Sequence, residues 1–308
     1  MQRYILSRLA QAIVTLVIVS LVVFLLARVT GNPLDLMLSF EATEEDYARE
    51  SQRLGLDKPL YVQYGVFLAN ALRGDLGRSV RVNRPVSELL RQRLPNTFKL
   101  GLGAVALVLV VSFPLGVQAA VRKGSLVDVI ARGTAVFGQS LPSFWVGILL
   151  ISFFAGTLGW LPAAGTGSLR HYILPTVTLA LTGFMLSGVV RLLRSSMLDV
   201  LDSEYVKLAR AKGLSERAVI WKHALKNALI PVVTFAGFYF ALLIGGIAVV
   251  VETVFAWPGV GRLAYEAVMW RDYPVIQAVV LVLATILVLT NLVVDILYAY
   301  LDPRIRYG

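Results

Sequence analysis

The sequence predicts an all-α polytopic membrane protein with six transmembrane helices. Three observations carry that prediction: an unusually apolar composition, six apolar runs of crossing length, and charges confined to the connections between them. Of 308 residues, 57% are hydrophobic and only 16% charged, with a mean hydropathy of +0.73. A soluble domain carries about 45–50% apolar residues. The formal charge of +10 flanks the apolar runs instead of gathering on a polar domain, so anionic lipid headgroups are the expected partner and nucleic acid is not. The chain has no cysteine, which excludes a disulfide framework, a thiolate metal site and a thiol nucleophile.

The first span runs without a charge from Leu9 to Ala27, close to the roughly 20 residues that cross the hydrocarbon at 1.5 Å each. No small-residue cleavage pattern follows in "FLLARVTGNP", so this run is expected to stay as an anchor rather than leave as a signal peptide. Leu100 to Val121, interrupted by Pro114, is the second span. A third starts after Arg132, passes through "GQSLPSFW" and ends near Gly159, with Trp160 to His171 as a tight connection around "GWLPAAGTGS". Tyr172–Val190, Ala228–Val251 and Val275–Val294 complete the six. An even number of crossings puts both termini on one side.

Lys and Arg in short loops mark the cytoplasmic side. They concentrate in the second-to-third connection (Arg122, Lys123, Arg132) and the fourth-to-fifth (Arg191, Arg194, Lys207, Arg210, Lys212, Arg217, Lys222, Lys226). Both connections, and both termini with them, are therefore read as cytoplasmic. The segment from Arg28 to Lys99 is longer than the roughly 60 residues over which the rule counts, and it is read as external. Its "LDKPLYVQYGVFLANALRGDLG" has helical periodicity but too much charge to cross. Short helices on the outer face are expected there, serving either as a docking surface or as a cap over the helix ends. The domain division is thus 1–27, 28–99 and a five-helix core over 100–308, with a cytoplasmic loop at 191–228.

None of the six spans, so drawn, contains an ionisable residue in its interior, which argues against a proton-driven pump. Asp295 comes nearest and is read as an interfacial carboxylate beside Arg304 or Arg306. The sequence lacks GxSxG, HExxH and GxxxxGK[ST], and His171 and His223 stand apart. Nucleotide binding by the phosphate-loop route is therefore excluded.

One polar stretch remains, "EYVKLARAKGLSERAVIWKHALKNALIP", Glu204 to Pro231. Asp202 or Ser203 is placed to cap a first helix, Gly213 to end it in the left-handed conformation, and Leu214 to pack back on the finished turn. Ser215 can cap a second helix with Ala218, Trp221, Leu225 and Leu229 on one face. The product is a two-helix knuckle. It serves either as an insert for a partner's groove or as a basic loop lying on headgroups.

The segment "ARAKGLSE…HALKNALIP" resembles the cytoplasmic EAA loop of bacterial ABC-importer permeases, in the form typical of the dipeptide, oligopeptide and nickel subfamily. "VETVFAWPGVGRLAYEAVMWRDYPVIQAVV", "DPRIRYG", "ILSRL", "GDLGRS" and "QSLPSFW" resemble the same subfamily, so the likeness covers nearly the whole chain and points to the B-type partner of the permease pair. Two departures stand out: the distance from Gly213 to Pro231 is longer than in sugar permeases, and Lys207 and Leu208 occupy positions where Glu and Ala are expected. The resemblance implies a type I ABC importer permease fold in the bacterial inner membrane. It implies a second, C-type permease, two ATPase subunits holding ATP and Mg, and an external solute-binding protein, with no cofactor in this chain. Ala209, Arg210, Ala211, Lys212, Gly213, Leu214, Ser215 and Glu216 would be the ATPase-coupling residues. Peptides, dipeptides foremost, are the implied cargo, with oligopeptide, glutathione, haem or nickel-chelate as alternatives; a membrane enzyme or a scaffold are the rivals from other classes. Gly237, Ala241 and Gly245, four apart on the fifth span, allow close backbone approach. They face either the second permease or a neighbour within the subunit.

Overall fold

The computed structural model describes residues 2–29 and 43–301. Arg304 and Arg306, with the rest of the C-terminal "DPRIRYG", lie outside the described residues, as do residues 30–42. A bilayer interior offers no water to unsatisfied amides, so a chain this apolar must satisfy its backbone within helices. In chain order these are α1 (Gln2–Val29), α2 (Glu44–Leu54), α3 (Leu60–Leu72), α4 (Val86–Val121), α5 (Leu126–Ser140) and α6 (Ser143–Thr157, ending in a π-helical segment). They are followed by α7 (Arg170–Leu181), α8 (Met185–Leu201), α9 (Glu204–Ala211), α10 (Glu216–Val254), α11 (Val260–Met269) and α12 (Tyr273–Leu301). Among the described residues the sole strand-like pairing is a bridge between Arg78 and Pro85.

Among the described residues, four helices are long and apolar enough to cross a membrane: Ile5–Arg28 within α1, α4, α10, and Tyr273–Ile296 within α12. The fourth expected span is a bent pair, α7 and α8 meeting at 55°, and counting it as one crossing gives five. The third expected span is divided at Leu141–Pro142. Proline biases the preceding residue away from helical angles, and Leu141 is extended at φ −96°, ψ 121°. α5 therefore stops and the apolar α6 starts afresh.

Two span boundaries also move. α4 begins at Val86, so the last fourteen residues assigned to the external segment are its first turns. Charges such as Arg91, Arg93 and Lys99 mark where the apolar run starts, not where the helix does. The fifth span likewise begins at Glu216, making the knuckle's second helix and the span one continuous α10.

The core has two parts. One lies between α4, α7, α8 and α10, built on Leu100, Val108, Leu179, Leu193 and Val232. The other lies at the Val86 end, where Val86 and Leu90 meet Val260, Leu263, Val275 and Val279 of α11 and α12. α1 lies along α12, where Arg8 pairs with Asp295 at 3.4 Å; the partners expected for this carboxylate, Arg304 and Arg306, lie outside the described residues.

At about 1.5 Å per residue, α4 spans about 54 Å and fixes the two ends of the molecule. Beyond its Val121 end, the Asp128 carboxylate accepts from Arg194 of α8, Nε at 2.6 Å and Nη2 at 3.1 Å. The knuckle that follows α8 therefore sits at this end. At the Val86 end, the backbone of residues 80 and 81 bonds to Asp272. Knuckle and Asp272 corner lie at opposite ends.

The absence of ionisable groups within the spans needs correction. α10 continues past Val251, and Glu252 within it is fully buried. Its carboxylate accepts from Thr97 Oγ1 at 2.7 Å and from the Arg262 backbone N–H at 3.0 Å, while Thr97 Oγ1 accepts from Val260 N–H at 2.8 Å. A Cβ at Gly259 would fall on that carboxylate. Trp257 Nε1 donates to Asn96 O and Asn96 Nδ2 to Pro258 O, closing the loop against α4. Glu252 thus holds the loop that leads into α11 against α4. Glu252→Leu strands buried donors at about 1–3 kcal/mol each, so the purified chain should unfold at a clearly lower temperature; an unchanged thermal midpoint would contradict this assignment.

Candidate coupling site

The knuckle starts where α8 gives out. Ser203 is extended at φ −71°, ψ 150°, as a capping residue should be. Its hydroxyl, however, donates back to Val200 O at 2.5 Å, so it does not cap α9, and Asp202 is the C-cap that follows α8, still at helical angles. α9 buries Val206 and Ala209 against Val219 of α10. The helix then ends as expected. Gly213 is left-handed at φ 77°, its N–H reaching Arg210 O at 2.9 Å and the next N–H, of Leu214, reaching Ala209 O at 3.4 Å. This is the paired closure that glycine permits. Leu214 itself stays 41% exposed instead of packing back.

Ser215 caps α10, its hydroxyl accepting from Ala218 N–H at 3.4 Å. Three ties hold the two helices together: the Val206–Val219 contact, Asn227 Nδ2 donating to Tyr205 Oη at 2.7 Å, and Arg210 Nε donating to Glu216 Oε1 at 2.8 Å. The exposed ion pair is worth about 0.2–1 kcal/mol, so the apolar contact and the amide bond carry the geometry. Further support comes from Asp128, whose carboxyl is held down at about 2 chiefly by the hydrogen bond from Arg194 and then by the Gly124 N–H. That carboxylate anchors α8 to α5 directly beside the knuckle.

Of the eight expected coupling residues, Arg210, Ala211, Lys212, Gly213, Leu214, Ser215 and Glu216 form an exposed tip, while Ala209 faces inward. One expectation fails on α10. A π-helical segment over Val219–Ala224 shifts the register, so Val219, Ala224 and Ala228 are buried and Trp221 is 46% exposed. Leu208, 55% exposed, joins Leu214 and Trp221 in giving the tip apolar surface between its basic residues. The sequence set Trp221 on one face with Ala218, Leu225 and Leu229; Leu225 is buried and Leu229 packs on the core, while Trp221 parts from them and turns outward.

Gly237, Ala241 and Gly245 are brought together with α12 rather than set on an open face. A Cβ at Gly237 would meet Val294 Cγ2 at 2.7 Å, one at Gly245 would meet Leu287 Cδ1 at 3.5 Å, and Ala241 is fully buried. Of the two readings left open for these residues, packing within the subunit accounts for the contacts. Among the described residues no group of three or more His, Asp or Glu could hold a metal ion.

Residues 112–307 match the family model of the inner membrane component of binding-protein-dependent transport systems. The chain belongs to this family. Residues 1–101 of this transport component match the model of the N-terminal part of such membrane components. It is 44% identical over 308 residues to the glutathione transport system permease protein GsiC of Salmonella choleraesuis (strain SC-B67), each chain covered in full. It is also 44% identical over 316 residues, again with full coverage of both, to a Brucella abortus (strain 2308) protein named provisionally as a peptide transport system permease. Its fold is similar to a chain of the MetNI methionine ABC transporter solved in an inward-facing conformation, with a TM-score of 0.57 at 19% identity, covering 70% of this chain and 96% of that one. The chain therefore has the type I importer permease fold and is a multi-pass membrane protein.

Gly213→Pro should abolish transport by this component while leaving it in the membrane. Proline cannot take φ 77° and forces Lys212 out of its present angles, whereas no crossing helix is touched. Wild-type uptake by cells carrying normal membrane levels of the variant would contradict the coupling role.

Proposed function

We propose that this chain is one permease subunit of an ATP-driven importer of short peptides. It forms the translocation path with a second, C-type permease, above two ATPase subunits and beneath an external solute-binding protein that delivers cargo. Both termini and the knuckle face the cytoplasm, in accord with the Lys and Arg count of the short loops. The chain catalyses nothing itself: ATP and Mg belong to the ATPase subunits. The observation that carries this reading is the exposed, internally braced tip around Gly213, built on the end of a helix that continues into a crossing span. ATP-driven closure of the ATPases would displace that tip and shift the spans between inward-open and outward-open arrangements.

Cargo is inferred from the relatives. One is named for glutathione and another for peptides, and glutathione is itself a short peptide, so a peptide backbone with free termini is the shared chemistry. The 28–99 region would serve the outer face, with α2 and α3 as its short helices.

Uptake of labelled dipeptide and of labelled glutathione tests the reading in cells lacking this gene, in cells lacking the neighbouring ATPase genes, and in complemented cells. Both deletions should remove uptake of at least one of the two cargoes. Uptake that survives loss of the ATPases, or ATP hydrolysis by this chain purified alone, would overturn it.

A further inference from the structure

At the end of the molecule opposite the knuckle, Asp272 organises a corner between α11 and α12. It is 4% exposed, and its carboxylate accepts from the Ser79 hydroxyl, from Val80 N–H at 3.2 Å and from Arg81 N–H at 3.4 Å. Ser79 Oγ accepts in turn from Val82 N–H at 3.2 Å, and Arg78 Nη2 donates to Asn83 O at 2.8 Å. The 78–84 turn is therefore fixed from both sides by a buried carboxylate and its own cross-bonds. Its outer surface is another matter. The Arg81 guanidinium lies 4.1 Å over the Trp270 ring, and Trp270, Met269, Val268 and Val82 are 59%, 63%, 59% and 49% exposed. Among the described residues, the guanidinium groups of Arg78, Arg81 and Arg271 have no carboxylate within ion-pairing distance, whereas the neighbouring Arg84 and Arg93 pair with Glu88 and Glu266.

A solvated loop has no need of a stacked Arg–Trp pair held by a buried acid. Exposed Trp and Arg on a preorganised frame, ringed by unpaired positive charge, are what the centre of a protein interface requires. The family description names a binding protein, and this corner lies at the end away from the knuckle. We infer that the Arg81–Trp270 corner docks an acidic surface of that soluble binding protein, with Arg81 and Trp270 as the central contacts and Arg78 and Arg271 steering its approach. This rests on the proposed function, which makes the corner external.

The test uses the full complex of both permeases and both ATPases in nanodiscs of phosphatidylcholine alone, titrated with the system's own cargo-loaded binding protein while ATP hydrolysis is followed. The wild-type half-saturating concentration should rise with ionic strength. Arg81→Glu and Trp270→Ala should each raise it about tenfold with maximal stimulation recovered at saturation. Lys123→Glu, an exposed cation beyond the Val121 end of α4 and so at the opposite end of the molecule, should leave it within about twofold. Unchanged half-saturation in Arg81→Glu overturns the inference. So does loss of the second permease on purification, which would make the corner a permease interface, or an effect confined to nanodiscs with anionic lipid, which would make it a headgroup contact. A wild-type complex that no binding protein stimulates would instead remove the proposed function, and the docking surface with it.

Discussion

The continuity of α10 is the constraint on which the rest of the structure depends. Inside a bilayer an interrupted helix strands backbone donors and acceptors, so the stretch from Glu216 to Val254 stays helical save for one kink at Gly246. Where it yields, at Val219–Ala224 and Leu243–Ile247, it does so as π-helical segments rather than as a loop. A helix of 39 residues is about 58 Å long. One of its ends is the exposed knuckle; the other holds the buried Glu252 loop. Gly246, at φ 151°, is the one residue within α10 with non-helical angles, and it divides the helix into a long arm, Glu216 to Gly245, and a short segment fixed to α4 by Thr97 and Glu252. Under the proposed function, displacement of Ser215 would carry along that arm.

Two buried carboxylates brace opposite ends of the molecule. Asp128 ties α5 to α8 at the end of the molecule that carries the knuckle. Asp272 fixes a turn rather than a helix pair, and what it presents outward is a flat aromatic and guanidinium surface. A knuckle stabilised only by its exposed Arg210–Glu216 pair would be soft, because such pairs contribute little in water. Burial of Val206 and Val219 is what makes it stiff.

Much of this was legible in the sequence, for definite physical reasons. Gly213 before a Ser cap is a local signal, and local signals survive whatever the tertiary packing does. The apolar runs located the hydrophobic segments, because the bilayer sets their length, but they hid the 55° bend between α7 and α8 and the break at Leu141–Pro142. The start of α4 was not legible, since Val86 begins a helix in polar sequence outside the apolar run; Glu216 was read as a helix start from its Ser215 cap, but not as the start of a crossing helix. Trp221 was misassigned because a π-helical segment breaks the period on which facing arguments rest. Glu252 escaped notice because it stands one residue beyond an apolar run, and only the approach of Thr97 and Gly259 from distant sequence reveals its burial. The inward packing of Gly237 on Val294 is likewise a property of a neighbour that spacing alone does not name.

The central claim is that the knuckle moves as a rigid unit and carries the spans with it. Spin labels at the exposed Lys207 and Lys222 bracket the Gly213 turn, and a third label on the second permease reports how far the two subunits separate. Distances measured by pulsed electron resonance on the assembled importer, nucleotide-free and ATP-bound, decide the matter. The account predicts a narrow Lys207–Lys222 distribution that is the same in both states, with a clear shift between Lys222 and the second permease. A Lys207–Lys222 distance that broadens or changes with ATP while the distance between permeases stays fixed would contradict it.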